Sequence, residues 1–306
     1  MADKPRAEHA IDEDTVRRLL RTQADPLIPG TSSRPLGKTA EGWDCEIWRA
    51  GDDLAVRLPR RAAAAPLIIH EQRVLPLVSA AVQATGVALP TPLVCGAPDG
   101  DFPWPWSVVP WIEGHTGLDA PRSTRSAWAE PLAAALEALH SPATADAPVN
   151  PFRGGPLRGR DGAVHGRIAQ LRASRAVARR DLDRAESVWV AGLDASSWSG
   201  PAVWIHGDLH PGNILADGDR LVGIVDFGDV TSGDPAYDLA VGWLAFDAAG
   251  RSAFRSAVGS RVDEATWVRA RAWAASLGLM LLAHSDDVPA YAELGRESLR
   301  ETIGIG

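Results

Sequence analysis

The stretch from Trp204 to Gly228 constrains this chain more than any other. It reads Trp204-Ile205-His206-Gly207-Asp208-Leu209-His210-Pro211-Gly212-Asn213-Ile214-Leu215 and runs, past Asp217-Gly218, to Val225-Asp226-Phe227-Gly228. Asp217-Gly218 favours a type I′ turn, so Ile214 to Ala216 and Leu221 to Val225 are expected to pair as a hairpin. A hairpin brings the residues just before its first strand close to those just after its second. Asp208, Asn213 and Asp226 should therefore converge at its open end.

Three oxygen-bearing side chains meeting in one place suggest a chemistry. Mg²⁺ takes hard oxygen ligands in near-octahedral geometry and is commonly held by one or two protein groups plus waters and phosphate oxygens. Asn213 and Asp226 suit that role. Asp208 is left to accept a hydrogen bond from an attacking hydroxyl and take its proton. Two other readings stand beside this one. His206, His210 and Asp208 could ligate a metal in a hydrolase, although the histidines lie on a Pro/Gly-rich turn rather than on the helix that an H-E-x-x-H arrangement needs. The same polar residues could also simply hold a loop through Asx-turns and caps, the role that suits His206 best when taken singly.

Composition narrows the class further. The 306 residues allow two domains or two lobes with a cleft between them, and 45% hydrophobic with 23% charged residues allows a substantial core. A formal charge of −8 argues against a general nucleic-acid binder. It is compatible with a cationic substrate, or with nothing more than solubility. Cys45 and Cys95 are too few for a disulfide framework and suit a reducing cytoplasm. Met1 to Thr15 has no apolar signal region, and the longest apolar run, Ala274 to Ala283, is interrupted by Ser276 and Gly278. No signal peptide and no membrane span are expected.

Along the chain, Asp14 to Thr22 predicts a leading helix, followed by a Pro/Gly/Ser-rich stretch through Leu36. Glu46 to Arg49 and Leu54 to Leu58 predict two strands around the turn Gly51-Asp52-Asp53. Leu67, Glu71, Leu75 and Val78 are spaced along one side of a helix over Pro66 to Val78, which Pro76 should kink or end early. Leu93 to Cys95 and Trp106 to Val109 supply further strands, and Pro110 to Gly114 reads as a connector. Beyond it the pattern is largely helical, with Leu132, Leu136 and Leu139 at helical spacing and similar patterns over Arg167 to Val188 and Glu264 to Ala283. Strands between Val203 and Asp226 interrupt it.

His206-Gly207-Asp208 through Asn213 reproduces the kinase catalytic-loop spacing H-R-D-x-x-x-x-N with Gly in place of Arg, and Asp226-Phe227-Gly228 matches D-F-G. With Gly233-Asp234-Pro235-Ala236-Tyr237-Asp238-Leu239-Ala240, the set H-G-D-x-H-x-x-N, D-F-G and G-D-P-x-x-D-L-A resembles the aminoglycoside phosphotransferase family. The resemblance implies an α+β, protein-kinase-like two-lobed fold: an N-lobe over 1–112 and a mainly helical C-lobe over 113–306. It implies a small-molecule kinase that moves the γ-phosphoryl of ATP or GTP onto a hydroxyl with Mg²⁺, Asp208 being the base and Asn213 and Asp226 the metal ligands.

In the first lobe the resemblance places Arg57, in Leu54-Ala55-Val56-Arg57-Leu58-Pro59-Arg60, at the position of the phosphate-contacting lysine, with Glu71 to orient it. A surface salt bridge is the plainer role for Glu71. The phosphate-covering loop falls at Gly37 to Trp43, which lacks G-x-G-x-x-G, and only Gly42 is named there. At the connector, Pro110 has no N–H and could offer the nucleotide base only its carbonyl, with Ile112 as the N–H donor. Asp234-Pro235 reads as an N-cap followed by Pro at the first helical position, which makes Asp234 and Asp238 supports of the catalytic loop.

Acceptors implied are small hydroxyl-bearing molecules: aminoglycosides, macrolides, choline-like alcohols, sugars or amino-alcohols. Antibiotic resistance is thus a narrower expectation than kinase activity. Asp286, Asp287, Glu293, Glu297 and Glu301 could line a cationic pocket or form a solvated face. A silent nucleotide-binding module is the alternative from outside enzymology, and neither nucleic acid nor membrane is expected as a partner.

Overall fold

The computed structural model describes residues 5–285 and 288–304. Its first half is built on a five-stranded antiparallel sheet in the order β1-β2-β3-β5-β4: β1 Leu36–Glu41, β2 Cys45–Ala50, β3 Leu54–Pro59, β4 Val94–Gly96 and β5 Trp106–Pro110. The turn between β2 and β3 is the one expected, with Ala50 opposite Leu54. β3 is central, and Leu54, Ala55, Val56 and Leu58 are all buried, leaving Arg57 as its one cationic residue. The helix α1 (Glu13–Leu19), capped by Asp12 accepting from the Thr15 N–H at 2.8 Å, continues through one π-helical turn to Ala24. Val16, Leu19 and Leu20 from this helix, with Trp48, Leu58, Phe102 and Trp106, form the core of this half.

Two expectations change here. Most of the stretch read as a phosphate-covering loop is strand β1. Its side chains are nearly all exposed, so it has no apolar alternation to betray it and forms as an edge strand against β2. Only Gly42-Trp43-Asp44 is left as the turn. Helix α2 (Ala65–Gln83) passes through Pro76 without ending. Val74, Leu75, Val78 and Val82 are buried in the large core of the other half, and this burial outweighs the single lost backbone bond.

Past β6 (His115–Thr116), the chain forms α3 (Ala129–Leu139), α4 (Asp161–Ser174) and α5 (Arg179–Asp194). The continuous pattern over Arg167 to Val188 is thus two helices. Arg175 breaks it in the left-handed region at φ 56°, a turn with neither Gly nor Pro to announce it. After β7 (Val203–Ile205) come β8 (Ile214–Asp217), β9 (Arg220–Ile224) and β10 (Thr231–Gly233). Then α6 (Ala236–Leu239), α7 (Val241–Ala245), α8 (Ala248–Val258), α9 (Glu264–His284) and α10 (Pro289–Ile303) complete the described chain.

β8 and β9 pair as the hairpin expected, Ile214 opposite Ile224. Asp217 faces Arg220, so the turn is Gly218-Asp219, one residue later than read, with Gly218 at φ +60°. β6 lies on the other side of β8, and β7 pairs with β10. One core of Trp128, Trp189, Phe227, Trp267, Trp273 and their neighbours binds helices and hairpin together. The fold is α+β and protein-kinase-like, with a sheet-bearing N-terminal half and a helical remainder.

Candidate active site

The H-G-D-x-H-x-x-N segment lies between β7 and β8, and its shape is set by buried hydrogen bonds. Asp238 of α6 has no exposed surface; its carboxylate accepts from the N–H of His206 at 2.8 Å, from the N–H of Gly207 at 3.1 Å and from Nε2 of His140 at 3.1 Å. His206 is equally buried. Its Nε2 bonds the Val225 carbonyl at 2.9 Å and its Nδ1 accepts from the Asp208 N–H at 3.1 Å. A carbonyl only accepts, so Nε2 carries the proton and both ring nitrogens are committed. The ring rests against Phe227 at 4.4 Å between centroids. His206 thus ties the loop to the end of β9 and has no nitrogen left for a metal.

Gly207 stands where the kinase spacing has Arg, and the backbone shows why. Its φ is +83°, and a Cβ there would overlap the Asp229 carbonyl oxygen. This loop packs directly on the segment after Asp226.

Asn213 ends a short turn, Pro211–Asn213, and its Nδ2 donates to the Asp208 carbonyl at 2.9 Å. That fixes the amide and leaves Oδ1 as its free acceptor. The Val225 N–H donates to the Asn213 carbonyl at 2.9 Å, which sets Asp226 beside Asn213. Asp226 sits at φ +65°, and its side chain is 57% exposed. The donor set is oxygen only, one amide and one exposed carboxylate, and this fits Mg²⁺ rather than zinc. Among the described residues no cluster of three or more His, Cys, Asp or Glu is placed to hold a metal ion.

From the sheet side, Arg57 reaches the same point. Its Nε and Nη2 bond the two oxygens of Glu71 at 3.1 and 2.8 Å, and Nη2 lies 3.2 Å from Asp226 Oδ1. Glu71 also accepts from the Phe227 N–H. The side chains of Arg57 and Glu71 are 11% and 2% exposed, so the surface salt bridge considered for Glu71 gives way to a buried pair. Burial pushes the Glu71 carboxyl up to about 7, against the pull of Arg57. Burial works on Arg57 too, but the charges of Glu71 and Asp226 override it and hold the guanidinium above its ordinary value. The bidentate geometry favours the ionised pair.

Asp208 carries opposed influences. Burial raises its carboxyl, yet the Arg153 charge and a hydrogen bond from His210 outweigh that and hold it well below the usual carboxylate range. It is ionised at neutral pH.

The pattern of the phosphotransferase enzyme family matches residues 37–273, most of the chain. The chain belongs to this family. Several solved structures share the fold of this phosphotransferase. The GDP complex of aminoglycoside 2′-phosphotransferase IIIa is 18% identical with a TM-score of 0.63, covering 96% of this chain and 99% of its own. Macrolide 2′-phosphotransferase MphH from Brachybacterium faecium is 23% identical with a TM-score of 0.57, covering 94% and 97%. The streptomycin–ATP complex of APH(2″)-IIa is 17% identical with a TM-score of 0.55, covering 95% and 97%. No curated protein matches the chain in sequence.

The remaining sequence candidates are placed as follows. Gly42 sits at the β1–β2 turn, its N–H bonded to the Cys45 carbonyl at 2.8 Å, and Arg60 donates to the carbonyls of Gly42 and Trp43. Pro110 ends β5 opposite Leu54. The next N–H, of Trp111, donates to Asp53 O at 2.8 Å, so Pro110 and Leu54 form a non-hydrogen-bonded pair and the Pro110 carbonyl stays out of that ladder. Ile112 follows it, packed near Gly223. Asp234 bonds the Ala236 N–H at 3.0 Å and pairs with Arg269 Nε at 2.6 Å, pinning the start of α6 to α9. Of the acidic residues near the C-terminus, Glu293 pairs with Arg296, Glu297 with Arg122 and Glu301 with Arg251. Asp286 and Asp287 lie outside the described residues.

Four residues at the site carried no sequence signal: Arg153 and Asn150 on the loop before α4, Asp229, and His140 at the end of α3. Only Asp229, one residue past D-F-G, was near a motif. Two cavities lie elsewhere, one of about 390 Å³ beside α8 and one of about 280 Å³ between Leu157, Trp198 and Arg269, and neither includes Asp208, Asn213 or Asp226. No helix among the described residues is long and apolar enough to cross a membrane.

Proposed function

We propose that this phosphotransferase moves the γ-phosphoryl group of ATP or GTP onto a hydroxyl of a small molecule, between an N-lobe over 1–112 and a C-lobe over 113–306. One observation carries the reading: Arg57 on the sheet meets Asp226 at 3.2 Å, Val225 beside it bonds the Asn213 carbonyl, and Asn213 is tied to Asp208 at 2.9 Å, which links a cation, an ionised carboxylate and two oxygen ligands through direct contacts. GDP and ATP in the related complexes support a nucleotide donor.

Asp208 accepts the acceptor's O–H proton as its oxygen bonds to the γ-phosphorus, and the bond from that phosphorus to the β–γ bridging oxygen breaks, releasing nucleoside diphosphate. Arg57, oriented by Glu71, binds phosphate oxygens through its planar fork. Asn213 Oδ1 and Asp226 would hold Mg²⁺, which when bound offsets charge on the phosphate oxygens. The Pro110 carbonyl and the Ile112 N–H face the nucleotide base, and Gly42 lies in the turn over the phosphates.

The acceptor is a hydroxyl-bearing small molecule of the kind for which the related enzymes are named, aminoglycoside or macrolide. A cationic pocket on α10 has little support, because Glu293, Glu297 and Glu301 each have an arginine. Two free thiols support a reducing, cytoplasmic setting. The test is phosphate transfer from ATP and GTP to kanamycin, streptomycin, a macrolide, choline and glucose, with and without Mg²⁺, by wild type and Asp208→Asn. Mg²⁺-dependent transfer lost in the variant is expected. Equal, slow hydrolysis by both proteins, with nucleotide bound, would instead favour a silent binding module.

A further inference from the structure

Arg153 belongs to no motif, yet it touches Asp208. It lies on the loop between α3 and α4 with its side chain 18% exposed. Its Nη2 stands 3.2 Å from Asp208 Oδ1 and 3.3 Å from Asp229 Oδ2, and its Nη1 donates to the Tyr237 hydroxyl at 2.6 Å. The guanidinium also lies over the Tyr237 ring, 5.8 Å from its centroid. Asp229 is itself held by Asn150 Nδ2 at 2.7 Å. The other oxygen of Asp208, Oδ2, faces His210 Nε2 at 3.5 Å.

We infer that Arg153 is a positioning residue for the transfer: it fixes the Asp208 carboxylate from one end while His210 bounds it at the other. This inference rests on the reading of Asp208 as the base.

The physical case is one of geometry and charge. Asp208 and Asp229 point at a single guanidinium nitrogen, so without the cation two carboxylates would face each other in a partly buried site and repel. Asp208, on a loop, is the one free to turn away from the acceptor. Each carboxylate oxygen has two lone-pair directions, so the Arg153 contact leaves Oδ1 a direction for the acceptor hydroxyl. The Tyr237 bond and ring contact keep the fork from swinging. Tyr237 is in α6, the helix whose Asp238 holds the His206 and Gly207 N–H groups. One helix thus supports both the backbone and the carboxylate of the base.

The test compares Arg153→Met, Arg153→Lys and Asp208→Asn for kcat, acceptor KM, nucleotide Kd and urea midpoint. Transfer is read on the acceptor found in the panel, or on water as nucleotide hydrolysis if none is found. For Arg153→Met, kcat should fall between tenfold and about 100-fold, the scale of a misplaced catalytic group, with nucleotide Kd unchanged. Arg153→Lys should return kcat to within about fivefold of wild type, since an ammonium still separates the two carboxylates.

If Asp208→Asn is inactive while Arg153→Met stays within twofold of wild type, this inference fails and the base assignment stands. An active Asp208→Asn sinks both. Loss of nucleotide affinity and stability in step with kcat would make Arg153 a structural tie only, and would also overturn the inference. Should Arg153→Met not fold, Tyr237→Phe replaces it, loosening the fork at Nη1. A three- to tenfold lower kcat with intact nucleotide affinity is then expected, and an unchanged kcat overturns the inference.

Discussion

Replacing Asp238 with Asn tests whether the loop that carries Asp208 hangs on a single buried carboxylate. Asp238 receives two backbone N–H bonds, at 2.8 and 3.1 Å, and a third from His140. Hydrogen bonds to a charged group contribute about 1.5–3 kcal/mol each. Asn has almost the same shape but only one oxygen, and its NH₂ would meet a backbone N–H, donor against donor. One buried N–H is orphaned, at about 1–3 kcal/mol, and the surviving bonds lose their charge. The expected loss is about 2–4 kcal/mol of stability, read from urea denaturation followed by the fluorescence of the 12 tryptophans. Asp208 begins one residue after Gly207, so turnover should fall about 100-fold, the effect of an ångström's misplacement. A variant that loses under about 1 kcal/mol and keeps turnover within threefold refutes the argument.

Gly207→Ala should abolish transfer, because the new methyl overlaps the Asp229 carbonyl oxygen at a positive φ; an active variant with wild-type kinetics would show that the loop relaxes freely. Glu71→Ala leaves the Arg57 guanidinium buried beside only an exposed carboxylate, so about 3–5 kcal/mol of stability should be lost in urea denaturation, along with nucleotide affinity. Chelation of Mg²⁺ should stop transfer while leaving the unfolding midpoint unchanged, since Asn213 and Asp226 are already held by bonds to Asp208, Val225 and Arg57; a parallel loss of both would contradict the assignment of Asn213 and Asp226 to the nucleotide complex. In thiol titration of the native protein, exposed Cys95 should react and Cys45 should not, because burial pushes the Cys45 thiol far up; both should react in denaturant.

The sequence alone determined what depends on near neighbours. A Gly-bearing turn between two apolar runs is local chemistry, so the β8–β9 hairpin was legible, and with it the backbone closeness of Asn213 to Val225, the residue before Asp226. The turn came one residue late because Gly218, not Asp217, supplies the positive φ. The motif order carried the family and the fold. The tertiary structure decided what depends on contacts between distant segments. Edge strand β1 has no apolar period of its own, and the break at Arg175 lacks the usual punctuation, so packing alone sets both. Arg153 reaches Asp208 from 55 residues away on a loop, where no period or spacing constrains a side chain; only the packing of α6, the catalytic loop and the segment after Asp226 around one guanidinium brings it there.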